Sequence, residues 1–201
     1  MLDRAASAAL KPALEVVARR LVTLGFGADA ITWAGFVLGM AAAVAIATGQ
    51  PLAGLVLLLV SRVCDGLDGA VARLTRPTDR GAFLDIALDF LFYASIPLAF
   101  AIADPQANAL AAAVLLAAFI GTGSSFLAFA VMAERRGLRS DDFPHKGLYY
   151  LGGLTEASET LLCFLLMCLW PGQFPIWACG FALLCGLTTI TRIVGASRAL
   201  R

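Results

Sequence analysis

Asp65-Gly66-Leu67-Asp68-Gly69-Ala70-Val71-Ala72-Arg73, then, after residues 74–80, Gly81-Ala82-Phe83-Leu84-Asp85-Ile86-Ala87-Leu88-Asp89: these two stretches place four aspartates among small and apolar residues. Each continues outward into an uncharged apolar run, residues 52–60 on one side and 90–103 on the other. Together they read as two helices of membrane-spanning length joined by a short turn. Asp65 and Asp68 are three apart and Asp85 and Asp89 four apart, so each pair shares a helix face. At ~1.5 Å per residue, antiparallel packing sets Asp65 level with Asp89 and Asp68 level with Asp85, about 6–12 Å from the helix ends.

The rest of the chain supports a membrane reading. Of 201 residues, 60% are hydrophobic and 14% charged, with mean hydropathy +0.85; soluble domains carry about a quarter charged residues. Six apolar stretches are expected to span: about Ala30–Thr48 with Asp29 as its cap, Leu52–Arg73, Gly81–Ala103, Asn108–Glu134, Gly153–Trp170 and Phe174–Ser197. The fold expected is all-α: a polytopic protein of six transmembrane helices preceded by an N-terminal amphipathic interfacial helix. Residues 1–201 form a single membrane domain, with the interfacial helix at 1–25 and the six-helix bundle at 30–197. In the first segment Leu10, Leu14, Val17 and Leu21 form a stripe, with Lys11, Arg19 and Arg20 off it, suited to an apolar face in lipid and a basic face at headgroups. No secretory leader is expected there.

Nearly all fifteen Lys and Arg fall in the N-terminal segment, the turn with Arg73, Arg76 and Arg80, the loop with Arg135, Arg136, Arg139 and Lys146, and the tail. The intervening connections carry none, so both termini are expected in the cytoplasm. Cys64, Cys163, Cys168, Cys179 and Cys185 lie in apolar runs without metal-binding spacing and read as small core residues.

Four carboxylates converging in one shallow intramembrane volume repel one another and call for compensation. Divalent cations in an all-oxygen site supply it, and Mg²⁺ in particular pairs a few carboxylates with substrate phosphates. Internal salt bridges to Arg62 and Arg73 leave two acids over. Arg73 and Arg62 are candidates to meet phosphate. Gly69, Ala72 and Gly81 leave room for a ligand against the backbone.

The fixed positions Asp-x-x-Asp-Gly-x-x-Ala-Arg and Gly-x-x-x-Asp-x-x-x-Asp, all present from Asp65 to Asp89, resemble the signature of the CDP-alcohol phosphotransferases. The gap between them is one residue shorter than in many members. The resemblance covers essentially the whole chain. It implies that Asp65, Asp68, Asp85 and Asp89 hold two Mg²⁺ or Mn²⁺ ions, and that Asp89 is also the general base. It further implies that Gly69, Ala72, Arg73 and Gly81 bind the cytidine diphosphate portion. The reaction implied is transfer of a phosphatidyl group from CDP-diacylglycerol to a small alcohol or its phosphate, with CMP released, by a homodimer engaging membrane lipid and no nucleic acid. Residues 89–94, 119–125 and 146–153 look like a bacterial branch of the family, hence an inner-membrane enzyme with a cytoplasmic active site. Two other readings stay open: transfer of a phosphoalcohol from a soluble CDP-alcohol to diacylglycerol, and a divalent-cation transporter.

The acceptor should bind beside the acids. Arg139, Lys146 and Arg192 are the candidates, with Arg135, Arg136 and His145 nearby, although a basic loop also follows from topology alone. Glu156 and Glu159 are read as capping chemistry for a helix start. Gly35 with Gly39, and the belt from Gly121 to Ser125, permit close helix contact within one chain or across a dimer.

Overall fold

A computed structural model describes residues 2–137 and 155–200. They form seven helices and one short 3₁₀ turn, with no strand among the described residues. The helices are α1 (Leu2–Thr23), α2 (Ala28–Ala47), α3 (Pro51–Leu74), α4 (Asp79–Ala103), α5 (Pro105–Arg135), α6 (Ala157–Leu169) and α7 (Phe174–Ala199). By length and composition α2, α4, α5 and the stretch Pro171–Ala199 can each cross a membrane. α3 is as long, but Arg62, Asp65, Asp68 and Arg73 from its middle onward make it more polar, and α6 has 13 residues.

Helix ends follow local chemistry. α2 begins two residues earlier than the sequence predicts, with Gly27 rather than Asp29 at its cap. Asp29 instead sits in the first turn and pairs with Arg80 across the mouth of α4, at 3.4 Å. α4 starts where the Thr78 hydroxyl accepts from the Gly81 amide at 3.0 Å. α5 begins at once after α4, three residues before Asn108, because Asp104 caps it and Pro105 suits a first helical position. The buried Asn108 side chain donates to the Phe100 carbonyl and fixes that tight turn.

Contacts run from α3 to α2, α4, α5, α7, α6 and back to α3, closing a ring of helices. The main core fills one part of it, from Ile46, Leu58 and Ile96 to Phe100, Phe164 and Phe174. Phe92 of α4 is fully buried against Phe164 of α6 and floors the polar part. Many large apolar side chains face outward, among them Val44, Val56, Ile102, Leu110, Leu183 and Ile190, as a lipid-facing surface requires.

The glycines anticipated as contact points act within the chain. A Cβ on Gly35 would lie 3.0 Å from Cys64 Cβ of α3, and one on Gly39 would lie 2.6 Å from the Phe92 ring of α4. Gly121 meets Thr189 of α7 and Gly123 meets the Phe90 ring. α1 also differs from its reading. Its Leu14 and Leu21 pack with the fully buried Ala18 on Leu67, Ala70 and Val71 of α3, while Val17 points outward, 45% exposed. The packed face is turned toward Ala18 because Gly66 opens a groove for Leu14. Of the cysteines, Cys163, Cys168 and Cys185 are buried as expected and Cys179 is exposed.

Candidate active site between α2, α3 and α4

α3 and α4 both pack on α2, and the carboxylates of their acidic ends converge beside it. One carboxylate oxygen from each of Asp65, Asp68 and Asp85 lies within 4.8 Å of the others. Asp68 is 6% exposed, and its Oδ2 has no hydrogen-bond partner. Thr32, Gly35 and Phe36 of α2, with Leu88, complete the walls of a pocket of about 10 Å³. That is room for one ion or water. A buried, unpartnered carboxylate oxygen facing such a pocket is costly unless a cation meets it. The donor set therefore fits a divalent metal.

The fourth acid is placed differently. Asp89 is outside the trio and accepts from Arg62 Nη1 at 2.7 Å. The same Nη1 lies 3.4 Å from Asp65 Oδ1, which confirms that Asp65 and Asp89 share a level. Arg62, expected to reach a phosphate, is instead 12% exposed and stacked on Phe92, with its guanidinium carbon 3.9 Å from the ring centre. Its spacing of three from Asp65 was the signal for this pairing, because it puts both on one helix face.

Asp89 also lines a second, much larger cavity of about 760 Å³ between α4, α5, α7 and the start of α6. Aromatic and aliphatic side chains such as Phe90, Phe119 and Leu127 form most of its wall. The polar side holds Thr122, Thr155, Glu156, Thr160 and Arg192. Arg192 is buried, donates to the Thr122 carbonyl at 3.0 Å and lies 5.4 Å from the Phe126 ring centre. Thr155 and Thr188 hydroxyls are 3.0 Å apart. Glu156 and Glu159 form a reciprocal capping box at the start of α6, so the capping reading holds and Glu156 faces the cavity as well.

Gly69, Ala72 and Arg73 lie in the last two turns of α3, and Gly81 in the first turn of α4. Arg73 curls over Gly69, with Nη1 3.3 Å from where a Cβ would be. A Cβ on Gly81 would meet Thr78 Oγ1 at 3.2 Å and Asp29 Oδ1 at 3.4 Å. Arg135 and Arg136 are exposed at the end of α5. Arg139, His145 and Lys146 lie outside the described residues.

The sequence model of the CDP-alcohol phosphatidyltransferases matches residues 26–194, a stretch that contains α2 to α6 and all but the last residues of α7. The chain belongs to this family. Inner membrane protein YnjF of Escherichia coli (strain K12) is 50% identical over 193 residues, covering 96% of this chain and 94% of that protein. Two relatives match over a third of their length. Archaetidylinositol phosphate synthase of Methanothermobacter thermautotrophicus is 49% identical over 65 residues, 32% of this chain and 33% of its own. Phosphatidylcholine synthase of Pseudomonas aeruginosa is 35% identical over 80 residues, 37% of this chain and 34% of its own. Among solved structures, phosphatidylinositol phosphate synthase of Mycobacterium tuberculosis with CDP-DAG bound has a TM-score of 0.71 at 24% identity, covering 91% of this chain and 92% of that one. The same enzyme in complex with manganese and citrate gives 0.72 at 23% identity, over 91% and 88%. At these identities the likeness establishes the fold. As a CDP-alcohol phosphatidyltransferase, the chain is a membrane transferase of phospholipid synthesis whose acceptor alcohol the comparisons leave unspecified.

Proposed function

We propose that the chain transfers a phosphatidyl group from CDP-diacylglycerol to a small alcohol or alcohol phosphate and releases CMP. The observation that carries this reading is the position of Asp89, which lines both the small acidic pocket and the large cavity. A general base needs that place, within reach of an acceptor on one side and an activated phosphorus on the other.

The residues then divide the work. Gly69, Ala72, Arg73 and Gly81 bind the cytidine diphosphate at the mouth. Asp65, Asp68 and Asp85 would hold Mg²⁺ or Mn²⁺, with Asp89 beside them. When bound, the metal neutralises charge on the pyrophosphate oxygens as the transfer proceeds. The acceptor occupies the large cavity, where Arg192 suits a phosphate or other anionic group on it. Asp89 takes the hydroxyl proton. The alcohol oxygen forms a bond to the lipid-side phosphorus as that phosphorus loses its bond to the oxygen of CMP, and CMP leaves. Arg139 and Lys146 are proposed to complete the anion site from the α5–α6 connection.

In the membrane, α3 and α6 join the four apolar helices to give six spans, with α1 at the interface. The arginines beside the turn and at the ends of α5 and α7 support a site and both termini on the cytoplasmic side of a bacterial inner membrane. α3 tolerates Arg62, Asp65 and Asp68 because they are wholly or partly buried and close to one another, while Arg73 is exposed near its end.

The test is CMP release by purified protein in detergent–lipid micelles with CDP-diacylglycerol and Mg²⁺ or Mn²⁺. Acceptors would include glycerol 3-phosphate, serine, inositol, inositol phosphate, choline and phosphatidylglycerol, with Asp89→Asn as control. Release that needs metal, one acceptor and Asp89 establishes the reaction and its product. CMP at the Asp89→Asn level with every acceptor refutes the reading. CMP formed from a soluble CDP-alcohol and diacylglycerol instead would reverse the direction of transfer.

A further inference from the structure

We propose that the acceptor is itself a lipid: an alcohol joined through an anionic group to an alkyl or acyl chain. Its polar part lies between Asp89 and Arg192, and its chain lies along α4 and α5. The proposal rests on the phosphatidyl-transfer reading above and deepens it by naming the acceptor class. Three observations carry it. The first is size. At ~30 Å³ per water-sized group, about 760 Å³ takes roughly 25 such groups, more than twice the about ten non-hydrogen atoms of glycerol 3-phosphate.

The second is that the cavity has two unlike sides. α6 and α7, with the residues just before α6, supply Thr155, Glu156, Thr160 and Arg192. Beyond Asp89, α4 and α5 supply Ala94, Leu116, Phe119, Ile120 and Leu127. The hydroxyls on the α4–α5 side are engaged by the protein itself. Thr122 Oγ1 donates to the Phe119 carbonyl at 3.1 Å, Ser124 Oγ to the Gly121 carbonyl at 3.4 Å, and the Tyr93 hydroxyl is hydrogen-bonded to Arg62. Such a wall gains from an apolar occupant and offers a polar one little in exchange for its water.

The third is where the apolar side ends. Phe90 and Ile120 line the cavity and yet are 41% and 72% exposed. At ~1.5 Å per residue, Phe90 stands about 16 Å from the nearer end of α4 and Ile120 about 22 Å from either end of α5. The apolar side therefore adjoins the outer surface of the ring at the depth of the hydrocarbon, where chains and not headgroups lie. The reaction keeps its balance with such an acceptor. Its hydroxyl oxygen bonds to the lipid-side phosphorus, the bond from that phosphorus to CMP breaks, and Asp89 takes the proton. The product carries chains on both sides of the new phosphodiester.

The test uses the full chain in detergent–lipid micelles, with n-alkyl phosphates of increasing length as probes and inorganic phosphate as the chainless member. Binding is read from the shift in thermal midpoint. In the wild type, affinity rises about three- to fourfold per methylene until the apolar side is full. Ala94→Leu and Leu116→Phe narrow that side, and each cuts the gain from the longest chain about tenfold or more. Arg192→Gln weakens every member by a common factor of about 10–100. Partition into the micelle raises affinity alike in all of them, so a chain-length gain kept in full by both narrowed variants overturns the proposal.

Turnover supplies the second arm. In the wild type, kcat/KM for phosphatidylglycerol exceeds that for glycerol 3-phosphate by about tenfold or more, and the ratio falls about tenfold in the narrowed variants. A wild-type ratio within about threefold overturns the proposal, and this comparison decides alone if neither variant folds. Narrowed variants that raise KM for CDP-diacylglycerol and leave the acceptor ratio unchanged also overturn it, because the apolar side would then hold the donor's chain. If the wild type releases no CMP with any acceptor, the transferase reading falls by itself, and the alkyl phosphate series still judges what the cavity binds.

Discussion

The two cavities that meet at Asp89 are built on opposite principles. The small one, about 10 Å³, is walled by acids from two helices and closed by the third, with Asp68 almost wholly buried. The large one, about 760 Å³, is walled mainly by Phe, Leu and Ile, with Arg192 and a few hydroxyls on one side. Ile120, on its wall, is 72% exposed. The first volume is shaped by charge and suits an ion that is the same in every turnover. The second is shaped by bulk and suits an organic molecule. On the proposed function, the acidic pocket would fix the chemistry and the larger one would choose the acceptor.

That contrast predicts a sharp division among variants. Asp68→Asn or Asp85→Asn removes a charged ligand worth several kcal/mol of transition-state stabilisation, so CMP release should fall about 10³-fold or more. Mn²⁺ binding by paramagnetic resonance should fall with it. Asp89→Asn should lower turnover by about 10²–10⁴-fold, as loss of a general base does, while Mn²⁺ binding persists. Equal loss of Mn²⁺ binding in Asp68→Asn and Asp89→Asn would erase the distinction between the trio and the fourth acid.

On the other side of Asp89, Arg192→Gln should act on the acceptor alone. A charged hydrogen bond of about 1.5–3 kcal/mol corresponds to a rise of about 10–100-fold in KM for an anionic acceptor, with KM for CDP-diacylglycerol unchanged. A KM that rises for both substrates would mean the cavities are not separate sites. Between them, Gly39→Ala presses a methyl onto the Phe92 ring, which cannot retreat because it is fully buried. Overpacking of this kind costs about 1–3 kcal/mol. It should lower the thermal midpoint in detergent and, by shifting the ring beneath Arg62, slow turnover without changing either KM.

The acidic pocket was legible in the sequence and the large cavity was not, for a physical reason. Spacings of three and four residues on helices tied by a short turn determine which carboxylates face each other, so Asp65, Asp68 and Asp85 could be brought together on paper. The same arithmetic put Asp89 level with Asp65 but could not show that Arg62 takes it, since four acids and one arginine admit several pairings until the packing of Phe92 is known. The cavity draws on Phe90, Phe119, Thr155 and Arg192 from four separate elements, and no local spacing relates them. The glycine pairs were legible as contact points but not as contacts of a particular helix. α1 was legible as a helix, yet Leu14 finds Gly66 of α3, a pairing between residues distant in the chain.

The smallest expected effects concern Glu156, the residue that belongs to both a helix cap and the large cavity. Glu159→Ala removes the side chain that accepts from the Glu156 amide at 3.1 Å, half of the capping box. Loss of a cap costs about 0.5–2 kcal/mol, so the thermal midpoint should drop modestly and KM for the acceptor should not move. Glu156→Gln keeps an oxygen able to accept from the Glu159 amide, and its effect on stability should be smaller still. If Glu156 is only a cap, its Gln variant has wild-type KM for every acceptor. A rise above about tenfold, specific to an acceptor with an amine or several hydroxyls, would instead make the start of α6 part of the acceptor site. It would then give the large cavity an acidic contact of its own, opposite in charge to Arg192, and point to an acceptor carrying both kinds of group.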